Sequence, residues 1–327
     1  MTLSSSVLLS WIAYIIISYY IIRLIPYGFL RFLLTLFPCG LLTWITCQDL
    51  PTFDASSVII LAIAWLISIR LIQLTVCTTN SPLTFQSYLA KILWTFLPIR
   101  SQQSFRNQWP ISAQLILIVL KLFVNHWTYR WTISCETRVS FARILLFYSS
   151  MMTISYFLDS EAVFIRLLTR NKYTLESFTN LPILSTSLRE FWGRRYNQIV
   201  NTVLKESIFQ PICAQFSAPT VAGLLTFSVS GLLHAHLALV LFNDYSALFP
   251  AFMFFFVHGL VCCFEANLNR PLPGYIGWLT THVFLIITAP LMLAPFIRQG
   301  SEFLVLNPPP LINVEWIPKV PIPDFCL

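Results

Sequence analysis

Two short stretches hold the residues whose types and spacing could do chemistry. The first is His234, inside TVAGLLTFSVSGLLHAHLALVLF, a run without a formally charged residue. An ionisable side chain deep in such a run is costly and marks a functional site by default. On a helix, His234 continues a stripe of Gly223, Thr226 and Ser230, a small, polar face suited to a cavity or a close helix contact. His236 points nearly the other way, continuing Val229, Leu232, Leu233 and Val240. Packing or a single hydrogen bond is expected of it.

The second stretch is SLREFWGRRYNQIVN, residues 187–201. Ser187 and Glu190 fit a capping box, which predicts a helix starting there. One face of that helix would carry Glu190, Gly193, Arg194, Asn197 and Asn201, with Glu190 and Arg194 paired at i, i+4. Arg194 and Arg195 offer planar forks for phosphate oxygens. Asn197 could hold a carbonyl or orient a catalytic group. The competing reading is an interfacial helix whose arginines meet lipid phosphates and whose Trp192 is a belt anchor. The candidate catalytic residues are therefore His234 and Asn197. The candidate binding residues are Glu190, Trp192, Arg194, Arg195 and Ser230.

A buried neutral imidazole can act as a general base. No convincing nucleophile stands beside it in the sequence, which favours direct transfer: an alcohol loses its proton and attacks a carbonyl. Basic residues would hold a phosphorylated carrier, and a membrane cavity a greasy acceptor. Acyl transfer from acyl-CoA to a lipophilic hydroxyl meets all three conditions. A metal site would need His234, His236, His258 and Cys262 to converge, but the i, i+2 spacing suits a strand and no CxxC supports it. A Ser-His-Asp triad lacks its G-x-S-x-G elbow. A transporter with His234 as proton relay would need further intramembrane ionisable groups. Arg70, Lys121 and Arg143 are candidates, but no intramembrane acid is expected to join them. A membrane terpene cyclase would need an intramembrane acid, for which Glu265 is the nearest residue.

These residues need an apolar scaffold, and the composition supplies it. Of 327 residues, 57% are hydrophobic and 10% charged, against about 25% charged in a soluble domain. Too few charges remain to build a water-facing surface. The expected architecture is all-α: one polytopic transmembrane bundle over 1–327. Its parts are N-terminal helices 1–77, a motif-bearing core 78–300 and a Pro-rich extended tail 301–327. About eight spans are predicted, near 7–22, 29–46, 57–77, 111–126, 141–160, 219–242, 249–266 and 276–297. Two connections are long, 78–110 and 161–218, and interfacial helices are expected in the second. The eight cysteines do not read as a disulfide framework, and the N-terminal apolar run reads as a membrane helix, since no basic region precedes it.

The formal charge of +7 forms no stripe long enough for nucleic acid. With 161–218 on the cytosolic side, most basic residues fall on cytosolic loops, among them Arg23, Arg31, Arg100, Arg106, Arg166, Arg194 and Arg270. Only Arg130, Arg138, Arg298 and Lys319 fall opposite. The acidic loop QDLPTFDASS at 48–57 is then lumenal, and the endoplasmic reticulum is the expected membrane. Nothing in the sequence demands an oligomer.

Three stretches carry a resemblance. SLREFWGRRYNQ, SVSGLLH ending at His234 and FFFVHG around His258 together resemble the wax synthase-like branch of the membrane-bound O-acyltransferase superfamily, over roughly residues 85–300. That branch carries S-L-x-x-F-W-G-R-R-W-N/H followed by V-S-G-x-x-H. The resemblance implies a multi-helix acyltransferase fold with His234 as catalytic base and Asn197 as its polar partner. Tyr196 stands where the family usually has Trp, and Ala235 where plant-type members often have Glu. The chain looks more similar to fungal relatives that acetylate terpenoid and meroterpenoid hydroxyls in secondary metabolism. This implies acetyl-CoA as co-substrate and no permanently bound cofactor. The alternative within the branch is a long-chain acyl-CoA wax or sterol ester synthase.

Overall fold

A computed structural model describes residues 4–26, 28–77, 83–101, 109–135, 141–268, 272–298, 306–308 and 317–323. Arg106, Arg138 and Arg270, used above to orient the chain, lie outside the described residues, as does the rest of the Pro-rich segment. Among the described residues, eight helices are long and apolar enough to cross a membrane: Ser5–Leu24, Phe29–Cys47, Ala55–Cys77, Ile111–Ser134, Phe141–Leu168, Pro219–Phe242, Tyr245–Ala266 and Gly274–Phe296. The protein is an all-α, multi-pass membrane bundle. Its outward faces are as apolar as its interior: Leu9, Phe37 and Ile116 are each more than 60% exposed, as lipid contact requires.

Two spans run further than the apolar runs suggested. The fourth continues to Ser134, because Asn125, His126 and Thr132 turn inward, where they are buried. The fifth continues to Leu168 through a second helix, Tyr156–Leu168. Arg166, assigned above to a cytosolic loop, is a buried helical residue. Its guanidinium donates to the Trp109 carbonyl, Gln114 Oε1 and Asn171 Oδ1.

The helix ends follow local chemistry. Asp54 caps the third span by accepting from the Ser56 amide at 2.7 Å. Pro219 opens the sixth at a position where no amide hydrogen is needed. Asn243 closes it in the left-handed conformation, φ 50°.

The chain forms two compact units, residues 1–98 with 200–248, and 99–199 with 249–327. In the first, polar groups on the spans find one another. The Trp11 indole donates to Thr46 Oγ1, the Tyr14 hydroxyl to the Thr35 carbonyl, and Thr43 and Ser68 share a hydroxyl bond. Arg70 pairs with Glu206 at 2.6 Å and also donates to Gln73. Glu206 lies outside the spans, but in the second unit Asp159, within the fifth span, is the intramembrane acid expected to be missing, and it pairs with Lys121.

In the second unit the strands Ile99–Ser101 and Tyr173–Leu175, β1 and β2, pair antiparallel with Arg100 opposite Thr174. Arg100 also forms an ion pair with Glu176. The extended segment 317–323 is docked beside the Ile111–Ser134 helix. The indoles of Trp127 and Trp131 donate to the carbonyls of Pro318 and Pro321 at 2.9 and 3.1 Å. Ile317, 2% exposed, packs with Leu122 and Tyr156. Cys135 is disulfide-bonded, whereas Cys39, Cys47, Cys77, Cys213, Cys262 and Cys263 are free.

Candidate functional site

In the first unit, the small polar stripe of the Pro219–Phe242 helix exists as expected. Thr226 Oγ1 donates back to the Ala222 carbonyl, and Ser230 is buried. One turn on, His234 Nδ1 meets the Ser230 carbonyl at 2.8 Å. A carbonyl oxygen can only accept, so Nδ1 carries the ring hydrogen. In the neutral ring Nε2 therefore holds the lone pair, the arrangement a general base requires.

His236 is set up the opposite way. The Trp65 indole donates to its Nδ1 at 3.0 Å, so its ring hydrogen belongs on Nε2. Trp44 stacks on the ring, 6.3 Å between centroids and 11° between planes. It is a packed histidine with one hydrogen bond, as its apolar face suggested.

In the second unit, the helix predicted over 187–201 is not continuous. Ser187 does cap its start, accepting from the Glu190 amide at 3.0 Å. The Glu190 carboxylate, however, reaches back to the amide and hydroxyl of Thr186. The Leu188 and Arg189 amides are bound by the Glu265 carboxylate at 3.0 and 2.9 Å. This capping role accounts for the acid near a helix end.

Only Leu188–Glu190 is α-helical before Phe191–Arg195 widens into a π turn, closed by the Tyr196 amide on the Phe191 carbonyl at 2.8 Å. Widening shifts the register by one. Glu190 accordingly pairs with Arg195 at 2.7 Å and not with Arg194, the partner that α-helical spacing predicted. The ring stack of Phe191 on Tyr196, 5.1 Å and 13°, spans the same five residues. Tyr196 is then extended and Asn197 left-handed at φ 44°, and a new helix, Gln198–Leu204, begins. Asn197 therefore sits in a turn between two helices and shares no continuous face with Glu190.

The two arginines separate in role. Arg195 is engaged by Glu190 and by the carbonyls of Asn180 and Leu181. Arg194 is exposed and makes no polar contact among the described residues. The Glu190 carboxyl is affected first by burial, which raises its pKa. The hydrogen bonds from the Thr186 amide and from Arg195 outweigh this and hold it below the usual carboxylate range. Burial alone pushes the Tyr196 phenol up to about 12.

Trp192 lies against Tyr196, Phe254 and Phe255, with its ring edge-on to His258 at 5.6 Å. His258 is fully buried. Its Nδ1 donates to the Phe254 carbonyl, four residues back, just as His234 donates to Ser230. Its Nε2 faces Thr288 Oγ1 at 3.3 Å. Sequence reasoning did not count His258 among the site residues, although a third histidine in a charge-free run was the available signal. Thr288 lies on another helix and gave no local sign. A close approach completes this unit: a Cβ at Gly277 would come within 2.4 Å of the Thr186 carbonyl, so the Gly274–Arg298 helix can lie this near only with glycine there. Among the described residues, no three His, Cys, Asp or Glu side chains converge as a metal site would require.

Residues 175–257 match the model of the membrane-bound O-acyl transferase family. The matched stretch includes both the 187–201 segment and His234. The chain is 31% identical over 200 residues to a protein named "Probable long-chain-alcohol O-fatty-acyltransferase 2" of Arabidopsis thaliana, covering 56% of this chain and 55% of that protein. It is 29% identical over 150 residues to a long-chain-alcohol O-fatty-acyltransferase of Simmondsia chinensis, covering 41% and 42%. It is 24% identical over 302 residues to an acyl-CoA–sterol O-acyltransferase of Arabidopsis thaliana, covering 83% and 84%. The chain thus spans about half the length of the long-chain-alcohol relatives and most of the sterol one.

Proposed function

We propose that this protein is a membrane-bound O-acyltransferase that esterifies a lipophilic alcohol with an acyl group from acyl-CoA. The observation that carries the chemistry is the bond from His234 Nδ1 to the Ser230 carbonyl, which puts the ring's basic lone pair on Nε2. In this reading the alcohol hydrogen passes to Nε2, and the oxygen forms a bond to the thioester carbonyl carbon. The tetrahedral intermediate collapses with cleavage of the carbon–sulfur bond. The departing thiolate takes the proton back from the imidazolium, giving free CoA and a neutral ring. Asn197 is the proposed polar group toward substrate, and the exposed Arg194 the proposed contact for CoA phosphates. Arg195 and Glu190 support the turn that carries them.

The relatives' names favour a long-chain alcohol or a sterol, and a long acyl chain, over acetyl transfer to a terpenoid. The acetyl reading retains one supporting observation, Ala235 beside the base. A donor panel on purified protein separates the two: turnover with palmitoyl-CoA and a fatty alcohol or sterol is expected to exceed turnover with acetyl-CoA. The reverse order selects the acetyl reading. His234→Ala is expected to insert and fold but to lose about 10²–10⁴-fold in kcat, the usual contribution of a positioned base. Full activity in that variant rejects the mechanism.

The proposed setting is the endoplasmic reticulum membrane, with the connection after Leu168 cytosolic. This places Cys135 at the lumenal end of its helix, where its disulfide suits an oxidising compartment.

A further inference from the structure

Within the second unit, two oppositely charged side chains meet inside the spans. Lys121 lies midway along Ile111–Ser134 and Asp159 in Phe141–Leu168, and their side chains are 8% and 18% exposed. Burying two charges carries a desolvation cost that their attraction often fails to recover, so what the pair holds in place matters more than its own strength. Lys121 Nζ has three hydrogens, and all three are used: Asp159 Oδ2 at 2.6 Å, Ser155 Oγ at 2.9 Å and Thr179 Oγ1 at 3.2 Å. Thr179 donates in turn to Ser155 Oγ at 2.7 Å. Thr179 is 4% exposed and belongs to neither helix. It lies on the strand-to-turn segment that follows β2.

The neighbours of Thr179 on both sides bind the turn that carries Asn197. The Asn180 amide donates to the Arg195 carbonyl at 2.7 Å, and the Gln198 amide donates to the Phe178 carbonyl at 3.0 Å. These two bonds bracket Tyr196–Asn197, the residues at which the π turn ends and the chain reverses into the left-handed region. Segment 178–180 thus acts as a splint along one side of the turn, and the only side chain of its middle residue is hooked into the ion pair.

We propose that Lys121, Asp159, Ser155 and Thr179 form a positioning device that sets the Tyr196–Asn197 turn for acyl transfer. The four are positioning residues, since none of them bears Asn197 directly. The inference rests on the role given to Asn197 under Proposed function. It also disposes of Lys121 as a relay group: its three hydrogens are committed to holding a loop.

The test begins with Thr179→Val, which keeps the side-chain shape and leaves the Lys121–Asp159 pair in place, so the fold is retained. Thr179→Ser restores the hydroxyl, and Asn197→Gly serves as the reference for the turn. Deuterium uptake is followed in peptides covering 176–199, with peptides from 219–242 as internal standard. In Thr179→Val, which removes the bonds to Lys121 and Ser155, exchange across 176–199 is expected to rise at least about tenfold, the size that even one lost hydrogen bond gives. kcat is expected to fall about ten- to a hundredfold, as a misplaced group produces, with KM for the alcohol nearly unchanged. Thr179→Ser should recover both. Unchanged exchange in Thr179→Val overturns the inference. So does raised exchange with wild-type kcat while Asn197→Gly is inactive. If Asn197→Gly itself turns over at the wild-type rate, the role of Asn197 falls, and the proposed link from splint to catalysis falls with it. Raised exchange would then still show the splint as a purely structural one.

Discussion

His234 and His236 are two residues apart and carry their ring hydrogens on opposite nitrogens, one because a carbonyl receives it, the other because an indole supplies one. That difference was half legible in the sequence. The face each histidine occupies follows from helical periodicity, whereas the tautomer follows from a partner, and Trp65 lies 171 residues from His236. Glu190 shows the same division. The cap by Ser187 was readable, but the carboxylate's own partners, Thr186 and Arg195 in place of the Ser187 amide and Arg194, were not, the second because it depended on the width of the turn that follows. Because its folded-state pKa is depressed, its contribution to stability is present above the unfolded value of about 4.3 and is lost as the pH falls through the lower folded value. Thermal unfolding in detergent should therefore show a constant stability gap between wild type and Glu190→Gln from pH 6 to 5, closing as the pH falls below about 4. Parallel curves down to pH 3.5 would show that Arg195 and Thr186 do not hold the charge.

The segment 187–201 has helical periodicity throughout, yet it folds as a short helix, a π turn and a second helix. Nothing within fifteen residues announces the break. The bonds that impose it come from residues outside the segment, Phe178 and Asn180 in the connection before it and the distant Glu265, which supply a carbonyl, an amide and a carboxylate. At φ 44°, Asn197 occupies backbone space that asparagine and glycine tolerate and most residues do not. This separates the two functions the residue could serve. Asn197→Gly keeps the turn and removes the amide side chain. Its turnover should fall at least about tenfold, the loss expected when a charge-orienting hydrogen bond disappears. Wild-type turnover would mean that asparagine is there for its backbone alone.

At the scale of the whole chain, hydropathy located all eight spans, because lipid leaves little freedom in how a helix crosses it. It misjudged where the fourth and fifth end, since their last turns carry polar residues that face protein. It also could not show how the long connections divide between units whose residues are not contiguous. The proposed orientation makes a direct prediction. A cassette bearing an Asn-x-Ser acceptor should be glycosylated when inserted in the acidic loop at 48–54 and remain unmodified when inserted after Asn171. The opposite pattern would invert the topology and place Cys135 on the reducing side.

The docked segment 317–323 offers a consequence of a different kind. Pro318 and Pro321, two of its three prolines, contribute carbonyls but no amide hydrogens, and each carbonyl is met by an indole one helical turn from the next. The protein thereby carries its own optical reporters. In a background with the other tryptophans replaced, the emission colour of Trp127 and Trp131 should report the seating of this strap from one detergent or lipid to another, with no added dye.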